Sequence, residues 1–204
     1  MLKTRFPFFV ALLFASTVAV AQTSGHFAVK AGANLSSLRQ TGETTFLSRG
    51  RVDLQLGGLY RLRVNRFVVQ PELLLSLKGG VLKNYSSGAN RGTIATQNYQ
   101  YISLPVLFGY IPTEGLTLQA GPEFSYALQS GGTNPNVPGR PTDVGFAVGA
   151  HYDFLDMLSK FSLHVRYVHG FTNVSRIDIV QRYNTVLQAA IVYNFYKKEK
   201  RTAK

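Results

Sequence analysis

Eight stretches of alternating apolar and polar residues fill the chain between Phe27 and Phe195, and the connections between them alternate between long and short. Alternation with a period of two is typical of β-strands, because successive side chains point to opposite faces. Alternating long and short connections are typical of strands that pass up and down through an outer membrane. The pattern therefore predicts an all-β fold, an eight-stranded antiparallel up-and-down transmembrane β-barrel preceded by a cleaved signal peptide.

The amino-terminal segment has the features of an export signal. Lys3 and Arg5 form a basic start, residues 6–20 are a mostly apolar run, and Ala19-Val20-Ala21 has the small-x-small pattern that signal peptidase cuts. The run is shorter than the roughly 20 residues that a spanning helix needs, which favours cleavage over a retained anchor. We expect a signal peptide at 1–21, a barrel domain at 22–196 and a basic tail at 197–204.

The composition favours a barrel in a membrane over a soluble barrel. Charged residues make up 16% of the chain, below the roughly 25% of soluble domains, whereas Tyr and Phe number 11 and 14. The polar face of a soluble barrel such as a lipocalin carries many Lys and Glu residues. In this chain Gly, Gln, Ser and Asn occupy most positions on the polar face of the strands, which suits an enclosed lumen. No segment after the signal is apolar enough for a transmembrane helix, and nothing indicates a second domain.

The same pattern gives the strand boundaries. We place strands near residues 26–35, 51–64, 66–78, 98–111, 115–129, 142–154, 160–171 and 183–196. Pro71 and Pro122 fall inside two of them, and because proline donates no ladder hydrogen bond, we expect a bulge at each.

Loop length and aromatic residues predict the orientation. The links at Asn65, 112–114 and 155–159 are short, and those around 36–50, 79–97, 130–141 and 172–182 are long. Short turns belong in the periplasm, so both termini are predicted to be periplasmic, in the outer membrane of a Gram-negative bacterium. Aromatic rings favour the level of the lipid headgroups. Near the short turns, aromatic residues occupy the lipid-facing positions of the strands and form a predicted girdle. Its members are Tyr60, Phe67, Phe108, Tyr110, Tyr152, Phe154, Phe161, Tyr193 and Phe195.

Six stretches carry a family resemblance. They are FAVKAGANLSSL at 27–38, QPELLLSLKGG at 70–80, YISLPVLFGY at 101–110, LQAGPEFSYAL at 118–128, DVGFAVGAHYDF at 143–154 and HVRYVHGFTNV at 164–174. Together they resemble the PorT-like outer-membrane barrel family of Bacteroidetes over nearly the whole mature chain. The resemblance implies an eight-stranded barrel and no catalytic set, and one branch of that family is tied to a secretion apparatus. The chain departs from the family pattern at Ser103, where Glu often stands, and in its extension beyond Phe195.

The inward parity carries a set of ionisable residues. These are Lys30, Asp53, Glu72, Glu123, Asp143, His151, Asp153, His164 and Arg166. Barrels of eight strands have interiors about filled by side chains, and an unpaired buried charge is costly, so these groups are predicted to pair in a polar plug. The alternative is that some of them form a metal-binding or proton-transfer site. If Phe154 pairs with Phe161, His151 faces His164 with Asp153 nearby, a set that suits Zn²⁺ or a proton. Two histidines do not make a metal site, so we predict no cofactor.

An enzyme is the second class of function. Small outer-membrane barrels can modify lipid A, which requires Ser, His and a carboxylate at one depth on the outward parity. Only His169 meets the parity and depth requirements, and Ser125 lies on the wrong parity. We therefore predict a non-enzymatic protein that is structural, adhesive or part of a surface or secretion complex. The alternatives are a lipid-modifying enzyme and a narrow pore.

The charge balance bears on partners. Removing Lys3 and Arg5 with the signal lowers the formal net charge from +12 to +10. Export and the aromatic girdle argue against nucleic acid. We expect contact with outer-membrane lipid and lipopolysaccharide, with the barrel-insertion machinery during assembly, and with secretion-complex proteins. The cations placed in the external loops are Arg39, Arg49, Lys83, Arg91, Arg140, Arg176 and Arg182.

Overall fold

The computed structural model describes residues 23–41, 46–84, 94–132, 141–154, 158–173 and 181–196. The predicted signal peptide and basic tail lie outside the described residues. The strands are β1 (Thr23–Thr41), β2 (Phe46–Arg49), β3 (Arg51–Val64), β4 (Phe67–Asn84), β5 (Ile94–Thr113), β6 (Leu116–Gly132), β7 (Thr142–Asp153), β8 (Phe161–Gly170) and β9 (Gln181–Phe195). The described residues contain no helix long and apolar enough to cross a membrane.

These strands close into a barrel. Each long strand pairs antiparallel with its neighbours in chain order, and β9 pairs with β1 from Phe195 opposite Phe27 to Gln181 opposite Thr41. The short β2 pairs with β4, as β3 does, so β2 and β3 share one position in the wall. The register against β4 changes by one residue across Gly50, which separates them. The predicted eight-stranded antiparallel barrel is confirmed.

The side chains alternate between a polar interior and an apolar exterior. Leu73 and Leu118 point outward and are 56% and 51% exposed, whereas their neighbours Glu72 and Gln119 are buried. The interior also holds small apolar clusters, among them Leu107, Ala147, Val168 and Val186. This arrangement is the reverse of that in a soluble protein and is typical of a barrel wall that faces hydrocarbon.

Several strands are longer than predicted. β1, β4, β5 and β6 continue beyond the predicted boundaries into 36–41, 79–84, 94–97 and 130–132, which were placed in long loops. These extensions are rich in Gly, Ser, Gln and Asn, and alternation of hydrophobicity does not mark them. Their backbone groups nevertheless pair across the hairpin, because a ladder that has already formed extends without a new loop closure.

The expected bulges at Pro71 and Pro122 are absent, and that prediction is wrong. The register is the same on both sides of each proline, against both neighbouring strands. Pro71 pairs with Val106 on β5, and its pairing on the β3 side is interrupted. Pro122 pairs with Phe146 on β7 and interrupts the β5 side. A proline lacks one N–H that points to one neighbour, so the ladder loses local pairing on that side without inserting a residue.

The two ends of the barrel differ. Tight turns at Asn65–Arg66 and Glu114–Gly115, in which Asn65 and Gly115 have φ values of 55° and 81°, connect β3 to β4 and β5 to β6. The β7–β8 connection lies at the same end. So do Thr23, which pairs with Val64, and Phe195. We call this the turn end and the opposite one the loop end.

Placing arginine at the outward-facing Leu73 or Leu118 tests the assignment of the two faces. A charge at Leu73, near the bilayer midplane, is expected to lower the free energy of unfolding by about 2–4 kcal/mol, and one at Leu118, which pairs with Tyr110 at the level of the aromatic residues, by about 1 kcal/mol or less. The measurement is urea-induced unfolding of the protein in lipid vesicles. Glu114→Arg, in an exposed turn, is the control and is expected to change stability little. If both leucine variants are as stable as this control, the in–out assignment is wrong.

Candidate functional site in the barrel interior

The most highly connected group of buried side chains crosses the lumen. β4 and β8 lie on opposite walls, because three strands separate them in either direction around the barrel. Arg166 on β8 nevertheless reaches Glu72 on β4, with Nη1 3.1 Å from Oε2. The contact is possible because both side chains are on the inward parity and long enough to meet near the axis. We call the group around this contact the Glu72 network; its members are Lys30, Gln70, Glu72, Lys78, Glu123, His164 and Arg166.

Glu72 is the centre of the network. Its Oε2 accepts a hydrogen bond from Lys30 Nζ at 2.9 Å, and its Oε1 accepts one from Gln70 Nε2 at 2.7 Å. Arg166 supplies the third donor from the opposite wall, and His164 Nδ1 lies 3.8 Å from Oε1. The carboxylate is therefore coordinated from β1, β4 and β8 at once.

A second carboxylate extends the network toward the loop end. Glu123 on β6 accepts a hydrogen bond from Lys78 Nζ at 2.6 Å, and its other oxygen lies 3.7 Å from Arg166 Nη2. Lys78 also donates to Ser125 Oγ at 3.2 Å and lies 5.3 Å from the centre of the Tyr101 ring. Two carboxylates and three cations thus share one buried cluster, and each charge has an opposite charge as neighbour.

The two interior histidines are adjacent. His151 pairs with His164 in the β7–β8 ladder, the register expected from the short hairpin, and their ring centres are 5.5 Å apart. His151 Nε2 lies 3.0 Å from Asp153 Oδ1, and His164 Nδ1 lies 3.2 Å from Lys30 Nζ. The ammonium group of Lys30 repels a metal cation at this place. Among the described residues, no group of three or more His, Asp or Glu side chains is placed to hold a metal ion.

A second bridge crosses the lumen near the turn end. Arg61 on β3 and Asp153 on β7 also come from opposite walls, and Arg61 Nη2 lies 3.7 Å from Asp153 Oδ2. Asp153, whose side chain is 24% exposed, accepts a hydrogen bond from Ser162 Oγ at 2.6 Å. Below this bridge is a cavity of about 410 Å³, the turn-end pocket. Its lining includes Ser24, His26, Arg61, Arg63, Thr117, Asp153 and Tyr196.

The two remaining predicted interior residues lie apart from the Glu72 network. Asp143 accepts a hydrogen bond from Asn184 Nδ2 at 2.6 Å, and Asn184 also reaches the Tyr101 hydroxyl on the opposite wall. Asp53 accepts one from Ser36 Oγ at 3.1 Å and pairs with Arg51 at 2.7 Å. Both carboxylates are buried. The structure thus brings five of the nine predicted residues into one network, places His151 and Asp153 beside it, and leaves two outside.

The predicted set of interior ionisable residues omits three cations that the structure places inside the barrel. Lys78 and Arg61 share the inward parity of Glu72 and Asp53 on their strands, so parity was the signal that would have identified them. Arg182, which was placed in an external loop, is buried in β9, and that prediction is wrong. β9 begins two residues earlier than predicted, which puts Arg182 on the same inward parity as Asn184. Of the other predicted loop cations, Arg39, Arg49 and Lys83 lie within β1, β2 and β4, so their placement in loops is wrong as well. The remaining three, Arg91, Arg140 and Arg176, lie outside the described residues.

Aromatic side chains surround the turn end on the outside of the barrel. All nine residues of the predicted girdle are described, and five of them are exposed, namely Phe67, Phe108, Tyr110, Tyr152 and Phe195. Neighbouring rings touch in tilted or edge-on pairs, with centres 5.6 Å apart for Phe67 and Tyr110 and 5.2 Å for Phe161 and Tyr193. Phe27, which sequence reasoning did not include, packs 4.8 Å from Tyr60.

Comparison with known proteins identifies relatives of this architecture. A family model described as outer membrane protein beta-barrel domain matches residues 20–176. The outer membrane protein OprG from Pseudomonas aeruginosa aligns with a TM-score of 0.57 at 12% identity, over 87% of this chain and 99% of that one. Neisserial surface protein A aligns with a TM-score of 0.52 at 12% identity, over 85% and 99%. At these identities the likeness concerns the fold. No curated protein matches the sequence.

The substitution Glu72→Gln tests the energetic weight of the Glu72 network. It leaves Lys30 and Arg166 buried beside a neutral amide, so it is expected to lower the free energy of unfolding by about 3–5 kcal/mol. The measurement is urea-induced unfolding in vesicles. Glu114→Gln is the control, because it makes the same change at an exposed carboxylate in the β5–β6 turn. The control is expected to cost about 0.5 kcal/mol or less. Equal losses in the two variants would contradict a central role for Glu72.

Proposed function

The chain belongs to the outer membrane protein beta-barrel domain family, and on this premise we propose that it is a non-enzymatic component of the outer membrane. Its role is structural, adhesive or complex-forming at the cell surface. The observation that carries this proposal is the contact between Glu72 and Arg166, which joins opposite walls at 3.1 Å. A lumen crossed by a buried ion pair offers no open path for solutes, so function falls to the two ends of the barrel.

The proposed orientation places the turn end in the periplasm. Short turns in outer-membrane barrels are periplasmic and long connections are extracellular. Thr23 and Phe195, near the two described ends, both lie at the turn end, which supports the proposal that both termini are in the periplasm of a Gram-negative bacterium. The aromatic residues at this end support the assignment, since rings of this kind collect at a membrane–water interface.

We also propose that the chain is a member of the PorT-like outer-membrane barrel family of Bacteroidetes. Support comes from the six resembling stretches, which span the barrel from residue 27 to residue 174. One branch of that family is tied to a secretion apparatus, which favours a partner in a secretion or surface complex, bound through the extracellular connections or the periplasmic tail. Lipopolysaccharide surrounds the outer rim, and the barrel-insertion machinery is a transient partner during assembly.

The surroundings of His169 support a non-enzymatic role. This histidine points outward near the loop end, and its ring lies 6.3 Å from Tyr167 and 5.4 Å from Phe171. The hydroxyl of Tyr167 lies 3.4 Å from His169 Nδ1. Aromatic neighbours suit an interfacial girdle, whereas the acyl-transfer set considered from the sequence requires a serine hydroxyl and a carboxylate beside the imidazole. Ser125, the serine considered from the sequence, is buried inside the barrel and bonds Ser103 at 2.7 Å.

The closed lumen predicts that the purified protein does not form a steady conducting pore. Reconstitution into a planar bilayer is expected to give no large, steady current, because the Glu72–Arg166 and Arg61–Asp153 pairs block the interior in succession. The same preparation after heat denaturation is the control for detergent leakage. A steady large conductance that the denatured sample lacks would overturn the filled-lumen proposal.

Affinity purification tests the complex-forming role. A tag inserted within residues 133–140, in a predicted extracellular connection, is expected to recover surface or secretion proteins in stoichiometric amounts after gentle solubilisation of native outer membranes. The same tag between Glu114 and Gly115, predicted to be periplasmic, is the matched control, because whole cells are expected to expose only the first tag to antibody. Recovery of lipid alone would contradict a complex and favour a self-standing barrel. Lipid A analysis of a deletion strain would then test the enzymatic alternative.

A further inference from the structure

Three arginines gather where the lumen opens at the turn end. Arg61 and Arg63 occupy successive inward-facing positions of β3, and Arg66, in the β3–β4 turn, shares the parity of the buried Val68 and Gln70 on β4. Arg61 is buried, whereas Arg63 and Arg66, nearer the turn, are exposed. The mouth of the lumen therefore carries a concentration of positive charge on the side of β3 and β4.

A hollow connects two of these arginines with the turn-end pocket. Ser24, Arg63, Asn65 and Arg66 line it, and its volume is about 400 Å³; we call it the arginine hollow. Ser24 and Arg63 are partners in the β1–β3 ladder, and both also line the turn-end pocket of about 410 Å³. The two hollows therefore adjoin, and each has the size of a small-molecule site.

The acidic residue of the turn-end pocket does not neutralise the arginine hollow. Asp153 already accepts a hydrogen bond from Ser162 and lies 3.0 Å from His151 Nε2 and 3.7 Å from Arg61 Nη2. Among the described residues, no carboxylate forms an ion pair with Arg63 or Arg66. Two cations at the mouth of the lumen thus lack a protein counter-charge in the described part of the chain.

The hydrogen bonds of the arginine hollow leave donors for an anion. Arg63 donates through Nε to the Asn65 carbonyl oxygen at 2.8 Å, which holds the side chain within the turn. A guanidinium group has five N–H donors, so this bond uses one of them and leaves the two Nη groups. The planar fork of arginine matches the oxygens of a phosphate or a carboxylate. The hollow therefore suits an anionic group with several oxygens.

The charge of the following segment favours an external anion over the chain itself. Residues 197–204 come directly after Tyr196, which lines the turn-end pocket, and hold five Lys or Arg residues and one Glu. Like charges repel, so a basic segment is disfavoured in a hollow lined by two arginines. The same cations attract an anionic solute toward the mouth of the lumen.

The turn-end pocket offers a different chemistry from the arginine hollow. The Tyr196 ring lies 4.6 Å from the His26 ring, and His26 Nε2 lies 3.1 Å from Asn194 Oδ1, which supports this aromatic wall. Hydroxyl groups of Ser24 and Thr117 also line the pocket. An aromatic wall with a few polar groups is the usual lining of a site for a small organic molecule, and hydroxyl groups both donate and accept hydrogen bonds. This lining suits the hydroxyl-bearing ring of a sugar.

We propose that the turn-end mouth of the lumen is a binding site for a sugar phosphate. The phosphate faces Arg63 and Arg66, and the sugar lies in the turn-end pocket beside Tyr196. A phosphate monoester carries up to about two negative charges at pH 7, which two arginines balance. The Arg61–Asp153 bridge separates this site from the Glu72 network, so the ligand is bound at the mouth and does not cross the lumen. Exposure of the site to the periplasm rests on the proposed orientation, but binding does not.

Isothermal titration calorimetry of the purified protein tests the proposal, with glucose 6-phosphate, glucose and inorganic phosphate as probes. A non-ionic polyoxyethylene detergent is used because it has no sugar headgroup. The wild type is expected to bind one glucose 6-phosphate, to bind inorganic phosphate more weakly and to give no heat with glucose. Added salt is expected to weaken the binding, because the arginines are exposed. Arg66→Gln is expected to weaken glucose 6-phosphate binding about tenfold, since a charge-assisted hydrogen bond is lost.

Lys160→Gln is the matched control for charge. It removes an exposed cation from the β7–β8 turn, at the same end but on the opposite wall, and it changes the net charge as Arg66→Gln does. It is expected to leave binding unchanged. The mobility of unheated protein in gels verifies that each variant is folded. No binding of glucose 6-phosphate by the wild type, or equal losses in Arg66→Gln and Lys160→Gln, would overturn the proposal.

Tyr196→Ala tests the place of the sugar. It is expected to weaken glucose 6-phosphate binding about fivefold and to leave inorganic phosphate binding unchanged, since only the sugar lies beside the ring. Tyr152→Ala is its control, because Tyr152 is an exposed tyrosine at the same end but on the outward face. Equal affinity of the wild type for glucose 6-phosphate and inorganic phosphate would overturn the assignment of the pocket to a sugar. The measurement depends on neither conductance nor co-purified proteins, so its failure leaves the proposed function untouched.

Discussion

Closure of the sheet is the constraint on which the rest of the structure depends. Inside hydrocarbon no water is present to satisfy N–H and C=O groups, so each strand must pair on both sides. The seam between β1 and β9, which runs from Phe27 and Phe195 to Thr41 and Gln181, removes the last two free edges. Once the ring is closed, every side chain must point either into lipid or into an interior too narrow for bulk water.

Inside the barrel, where bulk water cannot solvate charged side chains, opposite charges are paired. Glu72 and Arg166 reach each other from opposite walls, and Arg61 and Asp153 repeat the arrangement nearer the turn end. Burying such charges costs desolvation free energy, and a buried pair is weak evidence for a gain in stability. The Glu72–Arg166 pair has a clearer effect on the geometry of the barrel wall and on permeation through the lumen. Bonds from β1, β4 and β8 converge on one carboxylate, which holds three parts of the wall at a defined separation and fills the axis.

The exterior follows a different rule, because its solvent is apolar and layered. Outward-facing leucines such as Leu73 and Leu75 occupy the middle of the barrel wall, and rings such as Phe67 and Tyr110 gather toward the turn end. On this outward face the absence of a side chain also shapes the surface. Gly58 leaves a hollow beside Phe27 and Leu73.

The sequence by itself determined the strand count and the closed antiparallel architecture. It also identified the parity on which Lys30, Glu72 and Arg166 are found and the hairpin register that sets His151 against His164. These are local properties, since alternation and turn length act over neighbouring residues. Only the tertiary structure decided that Glu72 meets Arg166, that Arg182 is buried in β9, and that Pro71 fits without a bulge. Each of these depends on how distant strands are placed around a closed ring, and no pattern within a single strand carries that information.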